Sequence, residues 1–480
     1  MTVLDVTVPP AVLGPPVVAG VSDTTPTGRL TALLDAGSLL IWPGLTDGTG
    51  VLVADGRVDG SDVVVYVTDQ SVKGGALGAA GCADIVRAID AALARRVPVI
   101  GVWHSGGARL QEGVVGLDGV GRVFAAMVRA SGRVPQLSVV LGPCAGGAAY
   151  GPALTDVVVM APDGRIFVTG PDVIRTVTGE AVTAEHLGGP QPHGRRSGVV
   201  SVVADDEAEA LSVTRALTVL LADQRALDLR GIEADPGMRD VLPASIRRAY
   251  DVKSLVERVL DPGTGIVLHA GWAPNLSTTI GRLGGRTVGV VANNPMRLAG
   301  CLDSSSAEKA AKFVRLCDAF GIPLVVLVDV PGYLPGLDQE WEGVVRRGAK
   351  LLHAFAESVV PRVTVVTRKA YGGAYIAMNS RSLGATAVFA WPDSELAVMS
   401  AAAAVRILHR RRLADVPSED EESLVAELAD EHRRLVGGLA ESEEHGLIDA
   451  VIDPAVTRRV VAEAIAEAPS LRGDHTNIPL

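Results

Sequence analysis

Aromatic residues make up only 4% of this 480-residue sequence, and it holds four cysteines, Cys82, Cys144, Cys301 and Cys317. None of them forms a CxxC pair, which excludes a zinc ribbon or a disulfide framework and leaves buried reduced thiols of a cytoplasmic protein, with no metal site, as the reading. Positive charge is in short supply: 44 Lys and Arg face 55 Asp and Glu, a net charge of −11 that argues against a general nucleic-acid surface. No apolar run reaches the ~18 residues needed to span a bilayer. The stretch before Arg29 has no Lys or Arg and no compact apolar core, so it does not read as a signal peptide. Familiar catalytic signatures are missing too: there is no Gly-x-Ser-x-Gly elbow, no HExxH, no Walker A and no GxGxxG with an acidic partner. The histidines are dispersed. Only His104, between an apolar strand and Ser105-Gly106-Gly107, lies in an evident loop site, where packing accounts for it at least as well as chemistry.

What the chain does have is a glycine phrase used twice. Gly146-Gly147-Ala148 follows the β-branched run 137–141, and Gly372-Gly373-Ala374 follows the run 363–366, 226 residues later. A glycine pair between strand and helix turns main-chain N–H groups toward a ligand at a helix N-terminus, where partial positive charge collects. Taken singly, each pair is more simply a packing glycine pair; repetition at a fixed offset reverses that judgement. The correspondence extends to Gly106 and Gly332 and to Pro135 and Pro361, also 226 apart, so the chain reads as two homologous domains in tandem. Hydrophobic residues at 48% with few aromatics mean cores of Ala, Val, Leu and Ile, suited to buried parallel strands.

Along the chain, residues 1–27 read as a flexible arm, 28–240 as a first domain and 241–480 as a second, with a polar linker around 235–240. Strands are expected at 51–53 and 63–67, a helix over 81–96 from the spacing of Ile85, Ile89 and Leu93, further helix over 207–229, and an amphipathic charged helix over 417–436. Each half is an α/β unit with Gly-rich loops after its strands, which places ligands at the strands' carboxyl ends. Two sites made of backbone donors and no acid–base pair suit chemistry that develops negative charge on oxygen, such as enolate formation at a thioester.

The segments that carry a family resemblance are 103–109, 146–156, 168–172, 178–180, 187–189 with His193, and 197–198 in the first half, and 286–294, 329–336, 346–350 and 368–380 in the second. Together they resemble, in order from about Arg29 onward, the carboxyltransferase (β) subunit of biotin-dependent acyl-CoA carboxylases, and most of all the short actinobacterial acetyl-CoA carboxylase β chains of the propionyl-CoA carboxylase β family.

The resemblance implies tandem crotonase-like domains, each a β-β-α superhelix, and a ring-shaped homo-hexamer, a dimer of trimers, whose active sites lie between subunits. The first domain would hold acyl-CoA. The second would receive carboxybiotin, which is not bound covalently here but supplied on a separate carrier by a biotin carboxylase/carrier (α) subunit. Carboxybiotin would release CO2, its ureido nitrogen would take the α-proton, and the enolate would attack CO2, giving malonyl-CoA (or methylmalonyl-CoA) for fatty acid or polyketide synthesis. By the same resemblance the N–H groups of Gly146 and Gly147 face the thioester enolate, and those of Gly373 and Ala374 the biotin ureido oxygen. Gly74, Gly75, Ala76 and Gly78 with Ser105, Gly106, Gly107, Ala108 and Arg109 line the CoA arm, and Lys73, Arg109 and Arg122 are candidate partners of its phosphates. Gly332, Tyr333, Gly372 and Tyr375 lie on the biotin side, and Ile376 occupies a specificity position where an aliphatic residue suits acetyl-CoA. The alternatives are a transcarboxylase or a biotin-dependent malonyl/methylmalonyl-CoA decarboxylase subunit of the same fold, or a non-catalytic scaffolding paralogue, which would need neither glycine pair.

Overall fold

In the computed structural model, which describes residues 23–43, 48–245, 248–435 and 438–479, β-branched runs bounded by Gly and Pro become two eight-stranded mixed sheets. The first contains β1 (Leu40–Ile41), β2 (Val51–Val58), β3 (Ser61–Thr68), β4 (Val99–Ser105), β5 (Gln136–Ala145), β6 (Val157–Met160), β7 (Arg165–Phe167) and β8 (Val202–Val203). The second contains β9 (Ile266–Leu268), β10 (Leu276–Leu283), β11 (Arg286–Asn293), β12 (Leu324–Val330), β13 (Arg362–Tyr371), β14 (Ala387–Ala390), β15 (Glu395–Ala397) and β16 (Ala450–Val451). The orders are β1-β2-β3-β4-β5-β6-β8 and β9-β10-β11-β12-β13-β14-β16, with β7 on β5 and β15 on β13. An antiparallel hairpin opens each sheet, and every pairing from β3 and β11 onward is parallel. The two domains therefore match strand for strand.

The match corrects the repeat in one detail. From β2/β10 to the loop after β4/β12 the offset is 225, because Gly107, not Gly106, corresponds to Gly332: Leu77 N donates to Gly107 O, and Leu302 N donates to Gly332 O. One inserted residue then gives 226 at Gly146 and Gly372, and a longer insertion before β14 raises the offset to 230 at β7 and β15.

Helices fall where apolar spacing and caps put them. The 81–96 expectation is met by Ala79–Arg95, and 207–229 shortens to Glu207–Ala222, capped by Asp206. The charged helix is Ser418–Leu435, with Val425, Leu428 and Ala429 buried against 401–413 and Arg406 paired to Glu421 and Glu422 on the outside. Of the segment read as an arm, residues 1–22 lie outside the described residues, and Pro26–Leu33 is already a helix, capped by Thr25.

Helices cover the sheets, and apolar residues on both faces of the central strands enter separate core clusters. The helix Glu207–Ala222 packs on both domains: Leu217 and Leu220 join a core with Leu137 and Ile280, Thr287 Oγ1 donates to Leu220 O, and Arg282 donates to Asp223 O. Ile232 and Met238, in the stretch read as linker, are buried against Leu255 and Leu283 of the second domain.

Candidate functional site

The loop Lys73–Gly75 runs through three successive left-handed residues, with φ of 51°, 66° and 73°. Glycine is required at the third: a Cβ on Gly75 would stand 1.9 Å from His104 O. The turn presses against the loop after β4, where Gly106 N donates to Gly74 O, Leu77 N to Gly107 O, Arg109 N to Leu77 O, and Gly107 N to the buried Ser105 Oγ. Gly74, Gly75, Ala76 and Gly78 are thereby stitched to Ser105, Gly106, Gly107, Ala108 and Arg109. Gly107 in turn abuts Ala145 and Gly146, since its Cβ would lie 2.8 Å from Ala145 O.

At the end of β5 the chain turns at Gly146 (φ 59°) into a 3-10 turn and a short helix; at the end of β13 it turns at Gly372, again φ 59°, into the helix Gly372–Ala377. The first N–H groups of a helical turn have no partner within it, and no side chain caps either turn, so both glycine phrases set such N–H groups beside a strand end. The surroundings differ. A Cβ on Gly147 would lie 3.1 Å from Val120, while one on Gly373 would meet nothing within 4 Å. Ile376 is 43% exposed one turn into the same helix, and Tyr375 and Tyr333 are partly buried, packed against one core cluster. Burial pushes both phenols up to about 12, so neither is a base at neutral pH.

Arg109 is corrected as a free phosphate ligand. Its side chain is buried and donates to Ala76 O, Gly48 O and Thr49 O, so it holds the glycine loop from beneath. Lys73 is exposed, and Arg122 is exposed with Asp118 as partner. His104 is packed: Gly142 leaves no room beyond hydrogen beside its Nδ1, which has no partner, and burial lowers its pKa.

Three supports were not apparent in the sequence. Glu112 Oε2 accepts from Ala79 N, closing the start of the helix that follows Gly78. Asp329 and Arg368 form a buried pair, with Nε and Nη2 of the arginine each 2.8 Å from Asp329 Oδ2. Lys309, 1% exposed, donates from Nζ to the carbonyls of His269, Trp272 and Leu276, and burial lowers it to about 7. Glu112 lies just beyond the 103–109 motif, and Asp329 and Arg368 open the 329–336 and 368–380 motifs, but nothing in the sequence marked the contacts they make; Lys309 had no signal. Among the described residues no three His, Cys, Asp or Glu side chains gather as metal ligands, and no helix is long and apolar enough to cross a membrane.

Comparison with known proteins adds three findings. Residues 44–471 match the model of the carboxyl transferase domain. The chain is 59% identical over 454 residues to the biotin-dependent acetyl-/propionyl-coenzyme A carboxylase beta6 subunit of Mycobacterium tuberculosis (94% of this chain, 96% of the relative), and 56% identical over 460 residues to the propionyl-CoA carboxylase beta chain of Rhodococcus erythropolis (95% and 96%). Among solved structures, the hexameric transcarboxylase 12S core with methylmalonyl-coenzyme A and methylmalonic acid bound superposes with a TM-score of 0.88 at 39% identity, covering 94% of this chain and 91% of the other.

Proposed function

The chain belongs to the carboxyl transferase domain family, and from that premise we propose that its two glycine phrases divide one reaction between them, in the carboxyltransferase subunit of a biotin-dependent acyl-CoA carboxylase. The observation that carries the division is the pair of glycines, Gly146 and Gly372, that turn the chain at the same φ of 59° at corresponding strand ends in chemically different surroundings. In the first domain the stitched loops at 74–78 and 105–109 lie along the CoA arm and bring the thioester to Gly146 and Gly147, whose N–H groups take up charge as the α-carbon loses its proton. Backbone donors suit this because they do not titrate and need no reorganisation; each is worth roughly 2.7–4 kcal/mol in such sites.

In the second domain Gly373 and Ala374 offer their N–H groups to the ureido oxygen of carrier-borne biotin, flanked by Gly332, Tyr333, Gly372 and Tyr375. The open space over Gly373 fits that group. Carboxybiotin supplies the CO2 and the base, which accounts for a site without a protein acid–base pair. Ile376 is the specificity residue, favouring acetyl-CoA with propionyl-CoA also accepted. Exposed Leu110 and Val114 on the first domain and Trp341 and Val345 on the second support a hexamer in which the two sites meet across subunits. Free thiols, three of them buried, support a reducing, cytoplasmic setting.

The test is reconstitution with a biotin carboxylase/carrier subunit, ATP and labelled bicarbonate, offering acetyl-, propionyl- and butyryl-CoA. Label is expected in malonyl-CoA and, less efficiently, methylmalonyl-CoA. No incorporation with any competent partner overturns the reading.

A further inference from the structure

A cleft of about 500 Å³ opens where the two domains of one chain meet, lined by Arg195 and Arg196 from the first domain and by Trp272, Asn275, Arg297 and Asp303 from the second. All three arginines are exposed, and none pairs with a carboxylate among the described residues. Asp303, the acid among them, is already committed: its Oδ1 accepts from Ser306 N and Asn275 Nδ2. Unpaired cations thus converge on one spot of a chain whose net charge is −11.

The cleft is held rigidly. Arg195 and Arg196 lie in the single π-turn His193–Ser197, a form often met at functional sites. His193 anchors the turn through Nδ1 to Ser197 Oγ and Nε2 to Ile166 O, each 2.7 Å. Gly198 packs so closely on the Trp272 ring that a Cβ there would stand 2.5 Å away. Lys309 ties down the carbonyls of His269 and Trp272 on the second domain's side.

Its place in the repeat says what it receives. Arg297 precedes Leu298–Gly300, whose φ values of 47°, 53° and 80° reproduce those of Lys73–Gly75, 225 residues earlier. The first-domain loop has glycine at its second position; the second-domain loop keeps Leu298 and Ala299 in left-handed conformations that disfavour side chains, a strain retained where the side chains serve a purpose. Leu298 and Met296 are 48% and 56% exposed at the rim. The cleft therefore stands in the second domain where the first takes the long arm of its thioester substrate. Resting on the reading given above, the second domain's substrate is also an arm, the biotinyl lysine of a carrier protein.

We propose that this arginine cleft is the docking surface for an acidic face of the biotin carrier, with Arg195, Arg196 and Arg297 pairing with carboxylates around the base of its arm while Met296 and Leu298 contact apolar surface beside them. Such rim charges steer and register a protein partner and leave the chemistry of the buried site unchanged.

The test compares two acceptors in the reverse reaction from malonyl-CoA, the intact carrier and free biotin, in the wild type and in the triple variant Arg195→Glu, Arg196→Glu, Arg297→Glu. The expected result is a rise of at least about tenfold in KM for the carrier, a weaker dependence of carrier KM on salt, and unchanged kcat with free biotin and KM for malonyl-CoA. An unchanged carrier KM overturns the proposal, as does an equal loss with free biotin. A rise in KM for malonyl-CoA instead assigns the cleft to the CoA phosphates and also overturns it. Absence of transfer by the wild type to either acceptor defeats the functional reading itself, and the docking with it.

Discussion

A Cβ built on Gly373 meets no atom within 4 Å, whereas one on Gly75 would stand 1.9 Å from the carbonyl oxygen of His104 at a φ of 73°. The two glycines should therefore fail in different ways. Gly373→Val places its side chain only in the space assigned to the ureido oxygen, so stability should stay within about 0.5 kcal/mol of the wild type while transfer falls at least about 100-fold. Gly75→Ala must move the main chain of two loops, and strain alone costs on the order of 1–3 kcal/mol, so its melting temperature should drop along with its affinity for acyl-CoA. Calorimetry beside initial rates separates them; a destabilised Gly373→Val with its residual activity in proportion would make Gly373 a packing glycine. The sequence marked both glycine phrases, because a repeated pair between strand and helix is a local pattern. It did not mark which glycine is hemmed in and which faces open space, since His104 O is brought there by β4 and Val120 by the helix Gly113–Ala130. Arg109 shows the same limit: a cation beside glycines reads as a phosphate ligand until the carbonyls of Gly48 and Thr49 are placed around it.

At the scale of elements, the two domains use one position on neighbouring strands in different ways. His104 near the end of β4 packs against Gly142 on β5; the matching positions on β12 and β13 are Asp329 and Arg368, joined by a salt bridge with both side chains under one-tenth exposed. Arg368 also donates to Arg248 O and lies 5.0 Å over the Tyr250 ring, so it pins the entry to the second domain onto the strand that carries Gly372. Removing one partner of a buried pair leaves the other charge unpaired, at about 3–5 kcal/mol. Arg368→Met should lose that much in urea unfolding of the second domain. Adding Asp329→Asn should recover a sizeable part, and additive losses in the double variant would show that the two residues do not act as a pair. Here the sequence displayed both residues inside matched motifs but not their contact, which depends on parallel register between strands 39 residues apart.

The whole molecule is closed by its C-terminal segment, which has no regular structure and reaches back across both domains. Arg472 donates to Ala319 O in the second domain and to Gly132 O and Arg133 O in the first; His475 Nε2 lies 3.0 Å from Asp318 Oδ2; Asn477 Nδ2 donates to Asp156 Oδ1. Asp156 is buried beneath this strap, also accepting from Gln136 N, and burial pushes its pKa from 3.8 up to about 6 even though the Lys312 ammonium opposes the shift. A carboxyl whose folded pKa lies above its unfolded value favours folding most when protonated. Its contribution is fully present below the unfolded value of 3.8 and is lost as pH rises through about 6. Lys312 is itself buried, and its lowered pKa adds a dependence of opposite sign, but with its midpoint far above that window when unfolded. The informative quantity is therefore the difference between wild type and Asp156→Asn, which keeps the shape but removes the titration. That difference in melting temperature should shift against the wild type between pH 4 and pH 6, most steeply about midway between the unfolded and folded values, and level off by pH 7. A flat difference would mean that the strap holds Asp156 in one protonation state throughout, and that the junction between the domains does not respond to pH at this site.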